Sequence, residues 1–185
     1  MTKRPDPGRR PPGVTRLGNP LDFIHDDHMR EREICTMIDR LVAVGDPERD
    51  QANLVLSFLR KQLPLHLEDE EQDLFPLLRR RCKPEDEIDL ALKRLATDHV
   101  KADDRTPEVV AILERLEDGD RDIGEPARSA MADYALHARH HLILEDAIIL
   151  PFARLRLTAG DLETLLRRML ARRGLDRLME ARDAE

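Results

Sequence analysis

The sequence predicts an all-α protein: an antiparallel up-down-up-down four-helix bundle with an extra short C-terminal helix. Two observations carry this. The chain is 37% charged and only 3% aromatic, without Trp, and Leu, Ala, Arg, Glu and Asp dominate, as in long helices. Apolar residues recur with helical spacing in four long segments joined by short Pro- or Gly-marked breaks, and strand formers never cluster with period two. At 185 residues one core is expected, organised as a flexible Pro/Arg-rich arm (1–19), the bundle (20–155), and a C-terminal helix and tail (156–185).

The arm holds Pro5, Pro7, Pro11, Pro12, Gly8, Gly13 and Gly18 and cannot stay helical. The first helix starts at Asn19-Pro20, a cap followed by a first-turn Pro, and ends at Gly45. Its stripe is Leu21, Ile24, Cys35, Ile38 and Val42, with His28 in register and His25 on the flank. The second runs from Asp46-Pro47 to Arg81, bent at Pro64, and faces inward with Leu59, Leu63, His66, Glu70, Leu74 and Leu77. Glu71 is about 140° from His66 and falls on the solvent side, whereas Asp73, about 20° away, lies near the seam. The third starts at Pro84-Glu85 and aligns Ile88, Leu92, Leu95, His99, Asp103, Val110 and Leu113, with Pro107 expected to kink or split it before Gly119. The fourth runs from Glu125-Pro126 to Arg154 along Tyr134, His137, His141, Glu145, Ile148 and Phe152. A fifth, shorter helix fits 159–173.

One layout occurs twice. His66 is followed by Glu70, a second acid, an apolar run and Pro76; His141 by Glu145, Asp146, an apolar run and Pro151. Residues four apart share a helix face, so each unit offers an imidazole and a carboxylate to one point. Together with His28, His99 and His137 they put buried imidazoles and two buried carboxylates inside an apolar bundle. Such groups are costly there unless paired or ligating. The mixed nitrogen and oxygen set suits iron, manganese or zinc, and the thiolates of structural zinc sites are missing. Seven candidate ligands (His28, His66, Glu70, His99, His137, His141 and Glu145) are too many for one first-row ion and about right for two. Two readings stay open for His137: a ligand, or a hydrogen-bond partner of one. Asp103 is a ligand, an acceptor for a ligand, or a cap for a helix restarting near Pro107. His25 is read as a rim residue and His140 as solvated. The Glu-x-x-His pattern of ferritin-like bundles and the His-Glu-x-x-His of zinc proteases are both absent.

These residues resemble the bacterial hemerythrin-like, or HHE cation-binding, family over roughly 20–155. The resemblance rests on Asp27-His28, on His66-x3-Glu70-Glu71 with Leu74-Phe75-Pro76, on His99, and on His141-x3-Glu145 with Leu150-Pro151. It implies a four-helix bundle around two non-haem irons joined by an oxo or hydroxo bridge, with zinc or manganese as alternatives. By the same resemblance Glu70 and Glu145 bridge the metals, and His28, His66, His99 and His141 are terminal ligands. Oxygen-carrying members have a second His one turn after the third-helix ligand, where this chain has Asp103. That departure points away from reversible oxygen carriage and toward binding or reducing O2, peroxide or NO in sensing or stress response. Two alternatives accompany this reading. One is an oxidoreductase or iron-donating repair protein with true turnover; the other is a metal-free or zinc-loaded interaction module.

The net charge of −7 argues against a nucleic-acid partner. No apolar run reaches 18 residues, so no membrane partner is expected. Cys35 and Cys82 lack CxxC spacing, which fits a reducing, cytoplasmic setting.

Overall fold

The computed structural model describes residues 18–43, 49–120 and 122–175. Most of the arm, the Gly45 and Asp46-Pro47 boundaries and the end of the tail lie outside the described residues. No strand occurs among those described, and the helices form the expected bundle. α1 (Pro20–Ala43) starts where the cap predicts: Asn19 Oδ1 accepts from the Leu21 N–H at 3.0 Å, and Pro20 occupies a position whose N–H would be unpaired.

The second bundle helix is built in pieces: α2 (Arg49–Lys61), α3 (Leu63–Asp69), a π turn (Glu70–Leu74) and α4 (Phe75–Arg81). Pro64 interrupts the ladder without ending it, since Gln62 N–H still reaches Phe58 O at 2.9 Å and His66 N–H reaches Gln62 O at 3.0 Å. The third is α5 (Ile88–Asp118), closed by Gly119 at φ 110°. The fourth repeats the plan of the second: α6 (Gly124–Leu144), a π turn (Glu145–Ile149) and α7 (Leu150–Arg156). α8 (Ala159–Arg172) is capped reciprocally by Thr158 and Asp161.

Both π turns sit just ahead of a proline. Phe75 N–H bonds the Glu70 carbonyl five residues back, and Leu150 N–H bonds that of Glu145. Pro76 and Pro151 have no N–H, and their rings press on the carbonyl four residues before, so the helix opens by one residue there. The inward face therefore moves along by one. Ile149 and Ala153 are fully buried where periodicity predicts Ile148 and Phe152.

α5 departs from the sequence reading in two ways. Pro107 does not split it; residues 103–105, 107 and 108 are exposed, so the carbonyl that Pro107 releases faces water. Asp103 does not face inward either, and Val109 is buried in place of Val110. A bundle seam drifts back by about 20° per heptad relative to a straight helix. By residue 103 the seam has rotated to roughly 90° from Asp103.

α1 packs on α2 and α6, and α5 packs on the same two, which closes the ring; α8 lies against α1 and α3. Two apolar clusters fill the interior. One holds Ile34, Ile38, Val55, Leu59, Leu113 and Met131. The other holds Ile24, Leu74, Leu78, Leu92 and Leu150, with Leu165, Leu166, Met169 and Leu170 of α8. Each such side chain contributes about 1.5–3 kcal/mol on burial, so both clusters clamp the polar layer between them. No helix among the described residues is long and apolar enough to cross a membrane.

Candidate metal centre

The polar layer contains two sets of donors. His28, His66, Glu70 and Glu145 bring one ligand atom each within 4.8 Å of one another, and so do Glu70, His99, His141 and Glu145. Both carboxylates belong to both sets. All six residues are buried, Glu70 and Glu145 completely. Each of the four imidazoles turns Nε2 inward. His28 Nε2 lies 3.5 Å from Glu70 and 3.3 Å from Glu145, and His66 Nε2 lies 3.6 Å from Glu70. His99 Nε2 is 3.5 Å from Glu70, and His141 Nε2 is 3.1 Å from Glu145.

These atoms fit a bound cation better than they fit one another. Both oxygens of Glu70 and of Glu145, and Nε2 of His28 and His66, are buried without a hydrogen bond to any described residue. Leaving such groups unpaired costs about 1–3 kcal/mol each. His99 Nε2 and His141 Nε2 converge to 3.2 Å, which requires a proton or a cation between them. Burial and the charge of Glu145 push the Glu70 carboxyl up to about 8. Burial is the largest single influence on Glu145 as well, but His141, His28 and His66 together outweigh it and hold Glu145 below its usual range. Burial is the largest single influence on His141 and lowers it, but Glu145, Glu70 and Glu31 together outweigh it and raise the imidazole to about 9. His66 is driven well below its usual value by burial and then by His28.

The outward nitrogens show why the repeated layout has a second acid. Asp146, next to Glu145, accepts from His28 Nδ1 at 2.7 Å; Glu71, next to Glu70, accepts from His99 Nδ1 at 2.8 Å. Each π turn therefore aims one carboxylate into the centre and the next at an imidazole from another helix. Such partners fix the tautomer that leaves Nε2 free to ligate. The wheel count puts Glu71 on the solvent side; the widened turn instead lets it reach His99. Phe75 stacks on the His99 ring, centroids 5.6 Å apart. Among the described residues, His66 Nδ1 has only the distant Asp27, at 3.9 Å, and His141 Nδ1 has no hydrogen-bond partner.

His137, the seventh candidate, joins neither donor set. It is half-buried, and its Nε2–H donates to the Asp98 carbonyl at 3.1 Å. It precedes His141 by one turn but belongs to the layer above the donors. His25 forms a third group with His28 and Asp146, half-exposed, beside Arg32, which pairs with Asp146 at 2.7 Å. Asp73, expected near the seam, turns to Arg168 and Arg172 of α8.

Sequence reasoning passed over one residue. Glu31 is 6% exposed, and it occupies the stripe position between His28 and Cys35. An acid in an apolar register was the available signal. Burial raises its carboxyl to about 7. It lines a small cavity of about 20 Å³ together with Leu63, Leu67, Tyr134, His137, Ala138, Ala102, His99 and His141. Tyr134 is buried there and accepts from the Thr106 hydroxyl at 3.5 Å.

A helical bundle with two histidine–carboxylate donor sets at its middle defines a cation-binding helical protein. A family model for the hemerythrin HHE cation binding domain matches residues 19–153. The chain belongs to that family. No curated protein matches it closely enough to suggest a more particular relative.

Proposed function

We propose that this chain holds two non-haem irons and that the centre reacts with a small oxidant (O2, peroxide or NO) in sensing or stress response. The observation that carries the reading is the sharing of Glu70 and Glu145 by two otherwise separate histidine pairs. Carboxylates common to two sets are suited to bridging. His28 and His66 would serve one ion, and His99 and His141 the other. Nitrogen and oxygen donors without thiolate favour iron or manganese, with zinc also accommodated. When bound, iron would supply electrons to the oxidant. The protein's own part is to hold the imidazoles by Asp146 and Glu71, to neutralise the positive charge with two carboxylates, and to exclude bulk water with the two apolar clusters.

His137 is left outside the ligand set in this reading, because its Nε2–H is committed to a backbone carbonyl. The test is iron content and reactivity of protein purified without oxygen. Glu70→Ala and Glu145→Ala should each lose both irons, and His137→Ala should keep them. Rapid mixing with O2, peroxide and NO should change the optical spectrum. Retention of both irons in either Glu variant, or an inert spectrum with all three oxidants, would contradict the proposal. Repeated turnover with peroxide would favour an oxidoreductase over a sensor.

A further inference from the structure

Two of the donor imidazoles, His28 and His99, hold an acid on Nδ1; His66 does not. Its Nδ1 is buried without a hydrogen bond to any described residue, and the residue is only 2% exposed. Asp27 Oδ2 faces that nitrogen across 3.9 Å. Asp27 directly precedes His28 on α1, and successive helical residues point about 100° apart. His28 therefore enters the donor layer, while Asp27 turns toward His66 of α3 and toward α8. Asp27 is itself more than nine-tenths buried. Its Oδ1 accepts from Arg30 at 2.5 Å, which leaves Oδ2 directed at His66. Beside Oδ2, at 3.7 Å, lies Nη2 of Arg173, at the C-terminal end of α8. Arg173 is fixed on three sides: by Asp69 at 2.7 Å, by the Met169 carbonyl at 2.9 Å, and by the Phe23 ring, whose centroid is 4.7 Å from the guanidinium carbon. The gap from His66 to Asp27 is about 1 Å longer than a hydrogen bond, a distance that side-chain torsions can close.

We propose that Asp27 is the positioning residue of His66 and that Arg173 ties Asp27 to α8, so that the C-terminal helix supports one metal ion through Arg173, Asp27 and His66 in turn. The proposal rests on the metal-centre reading above. A neutral His66 that ligates through Nε2 carries its ring proton on Nδ1. That N–H needs an acceptor in a dry site, and Asp27 Oδ2 is the carboxylate oxygen facing it. The bond fixes the ring orientation and raises the basicity of Nε2. Asp146 and Glu71 reach their imidazoles from the two π turns. Asp27 comes instead from α1 and is backed by a helix outside the four of the bundle. Its loss should weaken the ion on the His28/His66 side and leave the His99/His141 side in place.

The test uses zinc, which is diamagnetic and suits nitrogen and oxygen donors, loaded into the full chain with isotopically labelled histidine. Two readouts are taken on every variant. One is zinc affinity by competition with a chelator; the other is the Nδ1–H magnetic resonance of His66, assigned by its absence in His66→Gln. Asp27→Leu should weaken one of the two zinc ions about 10–100-fold, hold the other within about threefold, and move the His66 N–H upfield. Asp27→Asn keeps an acceptor oxygen, and a bond to a neutral acceptor is roughly half as strong. It should restore most of the affinity and move the resonance only part of the way. Arg173→Met should weaken the same ion, and should add no further loss in an Asp27→Leu background. An unmoved resonance with unchanged affinity in Asp27→Leu overturns the assignment of Asp27. Equal weakening of both ions, or equal loss in Asn and Leu, makes Asp27 a general support of the fold and overturns it too. If urea unfolding shows that Asp27→Leu does not fold, Asp27→Asn decides alone, and an unmoved His66 resonance there overturns the assignment. Additive loss in the double variant overturns the link to α8. An unmodified chain that takes up fewer than two zinc ions fails the metal-centre reading instead, which keeps the two failures distinct.

Discussion

Replacing Arg172 with Ala should cost about 3 kcal/mol of stability and loosen the segment that carries His66 and Glu70. Arg172 reaches from α8 to Asp69 at 2.6 Å, to Glu68 at 3.2 Å, and to Asp73. Asp69 is fully buried and Asp73 almost so. Removing one partner of a buried pair costs about 3–5 kcal/mol because a charge is left uncompensated. The low end applies here. Asp69 retains Arg173 at 2.7 Å, and Asp73 retains Arg168. For a chain of this length the melting point should fall by roughly 6–12 °C. The assay is thermal and urea unfolding of the metal-free protein, followed by a double-mutant cycle with Asp73→Asn. The cycle should return a coupling of about 1 kcal/mol or more. A loss below about 0.5 kcal/mol, typical of an exposed ion pair, would refute the claim that α8 is latched onto the ligand-bearing helix.

Other outcomes follow from the same geometry. Asp146→Asn and Glu71→Gln should each lower metal affinity about 10–100-fold while leaving the fold intact, read by competition with a chelator. Phe75→Ala should cost about 3–5 kcal/mol, since the ring is fully buried, and should also release the His99 ring that it stacks on. Glu31 has its carboxyl raised from 4.5 to about 7 in the folded chain. The unfolded chain therefore releases this proton first, and Glu31 by itself should lower metal-free stability by roughly 3 kcal/mol as pH rises from about 4.5 through about 7, on top of the contributions of Glu70 and the imidazoles. Glu31→Gln should make the change between pH 5 and pH 8 smaller by that amount; urea unfolding at the two pH values measures it, and an unchanged pH slope in the variant would contradict the assignment.

The bundle was legible in the sequence because Pro, Gly and caps mark its helix ends, and because His28, His66, His99 and His141 sit in apolar registers. The doubled His-x3-Glu unit located both carboxylates. What the helical wheel could not supply was the phase beyond residue 70 or 145. A wheel assumes one pitch, and the π turns ahead of Pro76 and Pro151 add a residue, which brings Glu71 to His99 and Ile149 into the core. Seam drift along α5 likewise turns Asp103 outward. His137 shared the stripe of His141, but one turn along the helix moves a side chain about 5.4 Å, enough to leave the donor layer. Glu31 was hidden for a different reason: its burial depends on the opposite wall, which no single helix records.

In the proposed centre one chain binds two metal ions through the shared carboxylates Glu70 and Glu145. Metal analysis of anaerobically purified, full-length protein tests it most directly. About two irons per chain are expected, lost together in Glu70→Ala. A single iron per chain, or a metal-free protein that takes up none on reconstitution, would contradict it.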